Sequence, residues 1–427
     1  MGTSALGVMV NSVRVPEIRK KLLFTAGMLA LYRIGAYIPA PGIDTDAVKQ
    51  ISNQFAGSNV LGFLNLFSGG SLQRFAVFAL GIMPYITASI ILQLLQVVVP
   101  SLEKLRKEGE VGQQKITQYT RYLTVALAFF QSIGYVFLFK TFARDAGTDI
   151  IHGFTFMHVF VIVLALTAGT VLLMWLGELI TQRGIGNGIS LMIFASIISG
   201  IPHGVQSWWT NPDPIFKVMM PIIALTVIAA IVFIQEGQRR IPVQYAKRVV
   251  GRKMAGGGQT YLPLRVNMAG VIPVIFAASL MAFPPTIGQL VQSGWARDFS
   301  NFLNPNGAAY LIGESILIVV FTYFYTAVTF NPVEQADNLK KYGGFIPGVR
   351  PGRPTAEFLD RILARLTFPG ALYLAAVAAL PTILINQTSA NFFFGGTSIL
   401  IVIGVALDTM KQLEAQLMMR NYEGFLK

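Results

Sequence analysis

Apolar residues along this chain gather into ten long runs separated by polar connections. The runs cover residues 22–38, 75–99, 122–139, 154–176, 185–201, 218–234, 268–287, 308–330, 366–384 and 392–406. Each is near the ~20 residues a helix needs to cross about 30 Å of hydrocarbon. Lys and Arg alternate between the connections. The N-terminal stretch, the even-numbered connections and the C-terminal tail hold 26 of the 33, the odd-numbered connections hold 6, and Arg33 lies within the first run. The Lys/Arg-rich side of a membrane protein faces the cytoplasm. The pattern predicts an all-α protein of the cytoplasmic membrane, with ten transmembrane helices and both termini cytoplasmic.

Composition agrees. The chain is 53% hydrophobic and 12% charged, with a mean hydropathy of +0.58, against roughly 25% charged residues in soluble domains. The absence of Cys excludes disulfides, thiolate metal sites and thiol catalysis. No cleavable signal peptide is expected, and residues 15–21 read as a short amphipathic segment on the cytoplasmic surface. The net charge of +13 lies in the cytoplasmic connections, where it can serve orientation, anionic headgroups or an anionic partner such as RNA.

The runs divide near residues 211–214 into a half at 22–210 and a half at 211–410, flanked by an N-terminal segment 1–21 and a tail 411–427. An odd number of spans per half gives the halves opposite orientations, as an inverted repeat around a central pathway requires. Two cytoplasmic loops are large. Loop 235–267 holds Arg239, Arg240, Lys247, Arg248, Arg252, Lys253 and Arg265, and its extended stretches 241–250 and 259–266 predict a hairpin turning at Gly256, Gly257 and Gly258. Loop 331–365 holds Lys340, Lys341, Arg350, Arg353, Arg361 and Arg365 among Gly and Pro. Orientation needs only a few charges, so the length of these loops points to a docking platform; the plainer alternative is solvated loops that only set topology. On the other side, connection 38–74 contains an apolar piece at 60–67, too short to span, followed by Gly69 and Gly70. It reads either as a re-entrant segment in a cavity or as a helix lying flat on the outer surface.

Familiar catalytic chemistry is missing. His152, His158 and His203 lack carboxylates at metal-ligand spacing, so no metal site is expected. No nucleophile motif, phosphate loop or cofactor fingerprint is present. Arg33 can snorkel outward or pair. Glu178 and Glu236 lie at cytoplasmic helix ends, Glu314 near the outer end of the eighth run and Asp408 at the inner end of the tenth. No chain of carboxylates crosses the midplane, which argues against a proton-coupled transporter. What lies near mid-span is Ile. Ile82 and Ile86 share a helix face, and Ile193, Ile275 and Ile401 sit at comparable depths. Taken singly, each suits packing or lipid contact.

Several strings together resemble the SecY family, channel subunits of the bacterial protein translocase. They include Arg33-Ile34-Gly35 with Ile38-Pro39-Ala40-Pro41-Gly42, Phe78-Ala79-Leu80-Gly81-Ile82-Met83-Pro84, Trp175-Leu176-Gly177-Glu178, Gly184-Ile185-Gly186-Asn187-Gly188-Ile189-Ser190, Tyr245-Ala246-Lys247-Arg248, Asn267-Met268-Ala269-Gly270-Val271-Ile272-Pro273 and Ala336-Asp337-Asn338-Leu339-Lys340-Lys341. Residues 288–306 follow no family string, and the tail ends soon after Tyr422-Glu423-Gly424-Phe425.

The resemblance implies two halves forming a clamshell around an hourglass pore, with Ile82, Ile86, Ile193, Ile275 and Ile401 as its ring. It implies a plug at 58–73 that includes Leu61, Phe63, Leu64, Leu66 and Phe67, and a lateral gate between the second and seventh spans, supported by the third and eighth. It implies that Arg239, Arg240, Lys247, Arg248, Arg252, Lys253, Arg350 and Arg353 meet the SecA motor ATPase and the rRNA of a translating ribosome. SecE and SecG subunits, signal peptides, nascent chains and membrane lipids are the other expected partners, with no cofactor and no enzymatic activity of its own. The rivals are a secondary transporter, which would need polar groups at the midplane; a membrane-embedded enzyme, which would need paired carboxylates, a metal or a nucleophile; and a scaffold subunit, which would need no re-entrant piece.

The topology is testable in this Cys-free chain. Gly257→Cys and Asn304→Cys, made singly, are expected to react with a membrane-impermeant thiol reagent from opposite sides. Labelling of both from one side contradicts the orientation.

Overall fold

Each of the ten apolar runs carries a helix, but several helices begin or end where local chemistry rather than hydropathy dictates. The computed structural model describes residues 15–48, 65, 67–145, 147, 149–151, 154–210, 214–245, 248–250, 253–255, 259–290, 298–299, 302–303, 307–388 and 396–424. Helix α1 (Pro16–Gly35) starts on a proline, whose missing N–H costs nothing at a helix N-terminus. The expected amphipathic segment at 15–21 is therefore not separate: from Pro16 it forms the first turns of α1.

The second run differs most from its prediction. Helix α2 (Met83–Val98) starts eight residues into the run, because the preceding backbone cannot be helical. Phe75 has φ 47° and Gly81 φ 58°, both in the left-handed region. Glycine is required at 81, since a Cβ there would lie 3.2 Å from the Cα of Ser68. Val99 is extended ahead of Pro100, as a residue preceding proline prefers. The chain thus bends by 99° into α3 (Pro100–Lys107).

The first half continues with α4 (Glu110–Asp145), α5 (Phe156–Arg183), α6 (Gly188–Ile198) and α7 (Ile201–Thr210). Asn187 caps α6, its side chain accepting from the N–H groups of Ile189 and Ser190. The second half comprises α8 (Pro214–Glu236), α9 (Ile272–Leu290), α10 (Ala308–Thr329), α11 (Pro332–Lys341), α12 (Arg353–Thr388) and α13 (Gly396–Gly424). Among the described residues, five helices are long and apolar enough to cross a membrane, within α4, α5, α8, α10 with α11, and α12; the bent pair α2–α3 makes a sixth. The described apolar stretches of α6 and α9 are shorter.

The loop after α8 forms β1 (Gln238–Tyr245), β2 (Arg248–Val250), β3 (Lys253–Ala255) and β4 (Gln259–Arg265). The hairpin is present, but β2 pairs with β3 in the register Val250↔Lys253. The predicted turn at glycines 256–258 lies outside the described residues. Strand β5 (Gly344–Phe345), from the other large loop, pairs with β1 at Gln244↔Phe345 and Tyr245↔Gly344. The two basic loops thus share one sheet, ordered β4-β1-β5. Ile241, Val243 and Leu264 from the sheet pack with Phe330, Ile346, Leu359, Ile362 and Leu363 in a small core of their own.

Packing separates the helices into two groups. Helix α5 contacts α1, α2, α4 and α6, and α2 also packs on α4. In the other group α10 joins α9 to α12, and α13 packs on α8 and α12. The groups meet where α2 and α4 touch α9, and where α6 touches α13. Close approach within the first group depends on glycine: a Cβ at Gly169 would fall 2.1 Å from the carbonyl oxygen of Val77, and backbone cannot yield as a flexible side chain can. Gly169→Ala is expected to cost roughly 1–3 kcal/mol by overpacking and to lower the thermal unfolding midpoint. Gly27→Ala, with open space around it, should not lower it; equal losses from the two contradict the packing account.

Candidate functional site

The five Ile singled out from the sequence all lie in the buried apolar core. Ile82 and Ile86 at the start of α2, Ile193 in α6, Ile275 in α9 and Ile401 in α13 are all buried and belong to one continuous apolar cluster. The helices that carry them form a circuit: α2 on α9, α9 on α13, α13 on α6, and α6 back to α2 through α5. A cavity of about 440 Å³ lies between the groups and is lined by Asn187, Ser190, Arg265, Asp408, Thr409 and Lys411, with Val271, Ile272 and Val405. On α6, α9 and α13 the Ile lies about one helical turn beyond a lining residue: Ser190 precedes Ile193, Ile272 precedes Ile275, and Val405 follows Ile401. Three helices thus set their Ile at one level, just past a polar mouth on the side of the basic loops.

The irregular backbone ahead of α2 is buried too. Phe67, Leu72, Phe75, Ala76, Phe78, Ala79 and Leu80 are nearly inaccessible, as are Ser68 and Ser71. Its polar groups find protein partners. Ser68 Oγ donates to the Asn65 carbonyl at 3.0 Å and accepts from the Leu72 N–H at 3.1 Å. Asn65 Nδ2 donates to Gln73 Oε1 at 3.1 Å, and the Gln73 N–H donates to Asn65 Oδ1 at 3.0 Å. Val77 N–H donates to the Ile38 carbonyl and Ala40 N–H to that of Phe75, at 2.9 and 3.0 Å. This is the condition under which non-helical backbone survives at membrane depth. Of the expected plug residues, Phe67 is described and buried; Leu61, Phe63, Leu64 and Leu66 lie outside the described residues.

Arg33 pairs inward: its Nη1 donates to the Gly69 carbonyl at 2.9 Å. At the seam between the groups, Ser279 Oγ of α9 points at Met83 Sδ of α2, 3.9 Å away and one residue from Ile82. Arg106 of α3 donates to the Val328 carbonyl at the end of α10, 2.6 Å away. Arg121 forks onto Glu178 at 2.9 and 2.6 Å, and Lys411 meets Glu236 at 2.8 Å. Sequence reasoning missed the contacts of Ser279 and Arg106. A hydroxyl in an apolar run was the available signal for Ser279.

On the basic loops, Arg239, Arg240, Arg350 and Arg353 are exposed, with Arg353 in an exposed i,i+4 pair with Glu357. The Arg350 carbonyl accepts from Thr355 Oγ1 at 2.8 Å, which ties the base of the loop to α12. Lys247 and Arg252 lie outside the described residues. Arg248 and Lys253 are placed by their strands, opposite Ala255 and Val250.

The SecY family model matches residues 76–410. The chain belongs to the SecY family. It is 50% identical to the protein translocase subunit SecY of Mycobacterium tuberculosis over 440 residues, covering 99% of this chain and 100% of that one. It is 50% identical to the SecY of Streptomyces griseus over 431 residues, covering 98% and 99%. Among solved structures, one described as a protein conducting channel superposes with a TM-score of 0.62 at 20% identity, over 92% of this chain and 91% of that one. Another, described as showing that the plug domain of SecY stabilises the closed state and maintains a membrane seal, gives 0.61 at 19% identity with the same coverage. As a SecY-family member the chain is a translocase subunit of the cell membrane, with multiple apolar helices, and not an enzyme.

Proposed function

We propose that this chain forms a protein-conducting channel, with the five Ile as its constriction and the segment around 58–73 as its plug. One observation carries the reading: apolar residues from four helices and both helix groups meet in one buried cluster, one turn past a polar cavity. A pore for unfolded chains of any sequence must not offer fixed hydrogen bonds, because these would hold some sequences and stall them. Branched apolar side chains fit loosely around any passing residue and exclude water and ions when nothing passes. The buried segment ahead of α2 adds a second seal in series.

The α2–α9 contact at Met83 and Ser279 serves as the lateral gate, through which apolar signal sequences and membrane spans reach lipid. The ten-span layout, in two oppositely oriented halves with both termini cytoplasmic, follows from the charge pattern. The shared sheet of the two basic loops serves as the cytoplasmic platform. Arg239, Arg240, Lys247, Arg248, Arg252, Lys253, Arg350 and Arg353 are its contacts for the SecA motor or a translating ribosome, which supply the driving energy. SecE and SecG complete the complex.

The test is the resting conductance of the purified complex in planar bilayers without substrate. Ser or Asn at Ile82, Ile86, Ile193, Ile275 and Ile401 together is expected to wet the constriction and raise ion leak severalfold, with export retained. A membrane as tight as wild type would make these residues ordinary packing and place the pore elsewhere.

A further inference from the structure

A long side chain crosses between the two helix groups on the side of the basic loops. Arg106 of α3 donates through Nη2 to the Val328 carbonyl of α10 at 2.6 Å. The 99° bend after α2 turns α3 out of line with it, and α3 packs on both α2 and α4. Its end is fixed in the first group, because the Leu105 carbonyl presses on Gly112 in the first turn of α4 and leaves no room there for a Cβ.

The acceptor is freed by the sequence. In a continuing helix the Val328 carbonyl would accept the N–H four positions on. That position is Pro332, which has no N–H. Helix α10 stops before it: the Phe330 N–H donates to the Thr326 carbonyl at 3.0 Å, and Asn331 caps α11 instead. The end of a helix carries partial negative charge and favours a cation. Val328 is also held firmly from the second group, since Phe330, two residues on, is buried in the core shared with the basic-loop sheet.

The last turn of α3 offers Lys104, Arg106 and Lys107. Lys107 pairs with Glu103 of its own helix at 2.6 Å, whereas Arg106 reaches α10. Arg106 is exposed and Val328 half-buried. If the groups part, the guanidinium keeps its charge in water and the carbonyl at the helix end is hydrated. No buried group is stranded, so the bond breaks and re-forms at small cost. The Met83–Ser279 contact lies at the opposite end of α2, about 22 Å along the helix from Val98. The two groups are thus tied at two levels.

We propose that Arg106 is a latch on the lateral gate, holding the first helix group to the end of α10 while the gate is closed. It is a positioning residue: it biases the gate and does not touch the passing chain. The proposal rests on the gate reading above.

The test uses spin labels on Leu95→Cys of α2 and Val320→Cys of α10, both exposed, in the purified complex in lipid nanodiscs. Inter-label distances give the ratio of separated to closed complexes at a fixed sub-saturating concentration of a synthetic signal peptide. Arg106→Ala is expected to raise that ratio about threefold, the worth of a cation at an exposed helix C-terminus. Arg106→Lys, which keeps a charged donor, should fall between Arg106→Ala and the parent. Lys107→Ala removes the same charge from the neighbouring position and should leave the ratio unchanged.

Saturating signal peptide separates the two claims. If it lengthens the distance in the parent, but Arg106→Ala does not raise the ratio or Lys107→Ala raises it equally, the latch is wrong and the gate stands. If it leaves the parent distance unchanged, the gate reading fails, and the latch with it.

Discussion

Backbone N–H and C=O groups that leave helical geometry inside a membrane protein must find partners within the protein. The fold around Ile82 depends on how this chain meets that requirement between Asn65 and Met83. Side chains of Asn65 and Ser68 satisfy part of the run from within. Helix α1 supplies Tyr32 and Arg33, the bridge of Pro39 to Ala76 adds two backbone hydrogen bonds, and turn bonds within the run itself supply more. Because the irregular run ends at Met83, Ile82 becomes the residue preceding α2, and Ile86 follows one turn later. Where the helix begins therefore decides the placement of Ile82 and Ile86 in the buried cluster.

The same economy of placement appears at the seam. Met83 follows Ile82 directly, and its sulfur meets Ser279 of the other helix group. Ile82 and the contact between the two helix groups are therefore one residue apart, so separating α2 from α9 would disturb both. On the far side, α6 and α13 bring Ile193 and Ile401 into the same cluster. The basic platform is built differently, with its own small core of sheet and helix residues. Arg239, Arg240, Arg350 and Arg353 stay exposed on it.

Much of this was legible in the sequence. Hydropathy placed a helix on every run, and the family strings singled out five Ile that are all buried in one apolar cluster. What stayed hidden depends on contacts between residues far apart in the chain. The late start of α2 follows from the left-handed backbone of Phe75, a residue type that gives no local sign of it. Strand β5 exists because Gly344 and Phe345 meet Gln244 and Tyr245, about a hundred residues earlier. The short pairing of β2 with β3, with Val250 opposite Lys253, gave no sign in the sequence. Arg33 was open to snorkelling or pairing, and only the fold of the Gly69 loop selects pairing.

The central claim is that a passing polypeptide crosses between the two helix groups at the Ile cluster. The most direct measurement places a photo-reactive residue, one position at a time, at Ile82, Ile86, Ile193, Ile275 and Ile401, and for comparison at Leu225 and Phe233 on the exposed surface of α8. A secretory chain is then stalled midway through the complex and illuminated. All five cluster positions are expected to cross-link to the stalled chain, and the two α8 positions are not. Adducts from α8 equal to those from the cluster, or a cluster that yields none, would contradict the account.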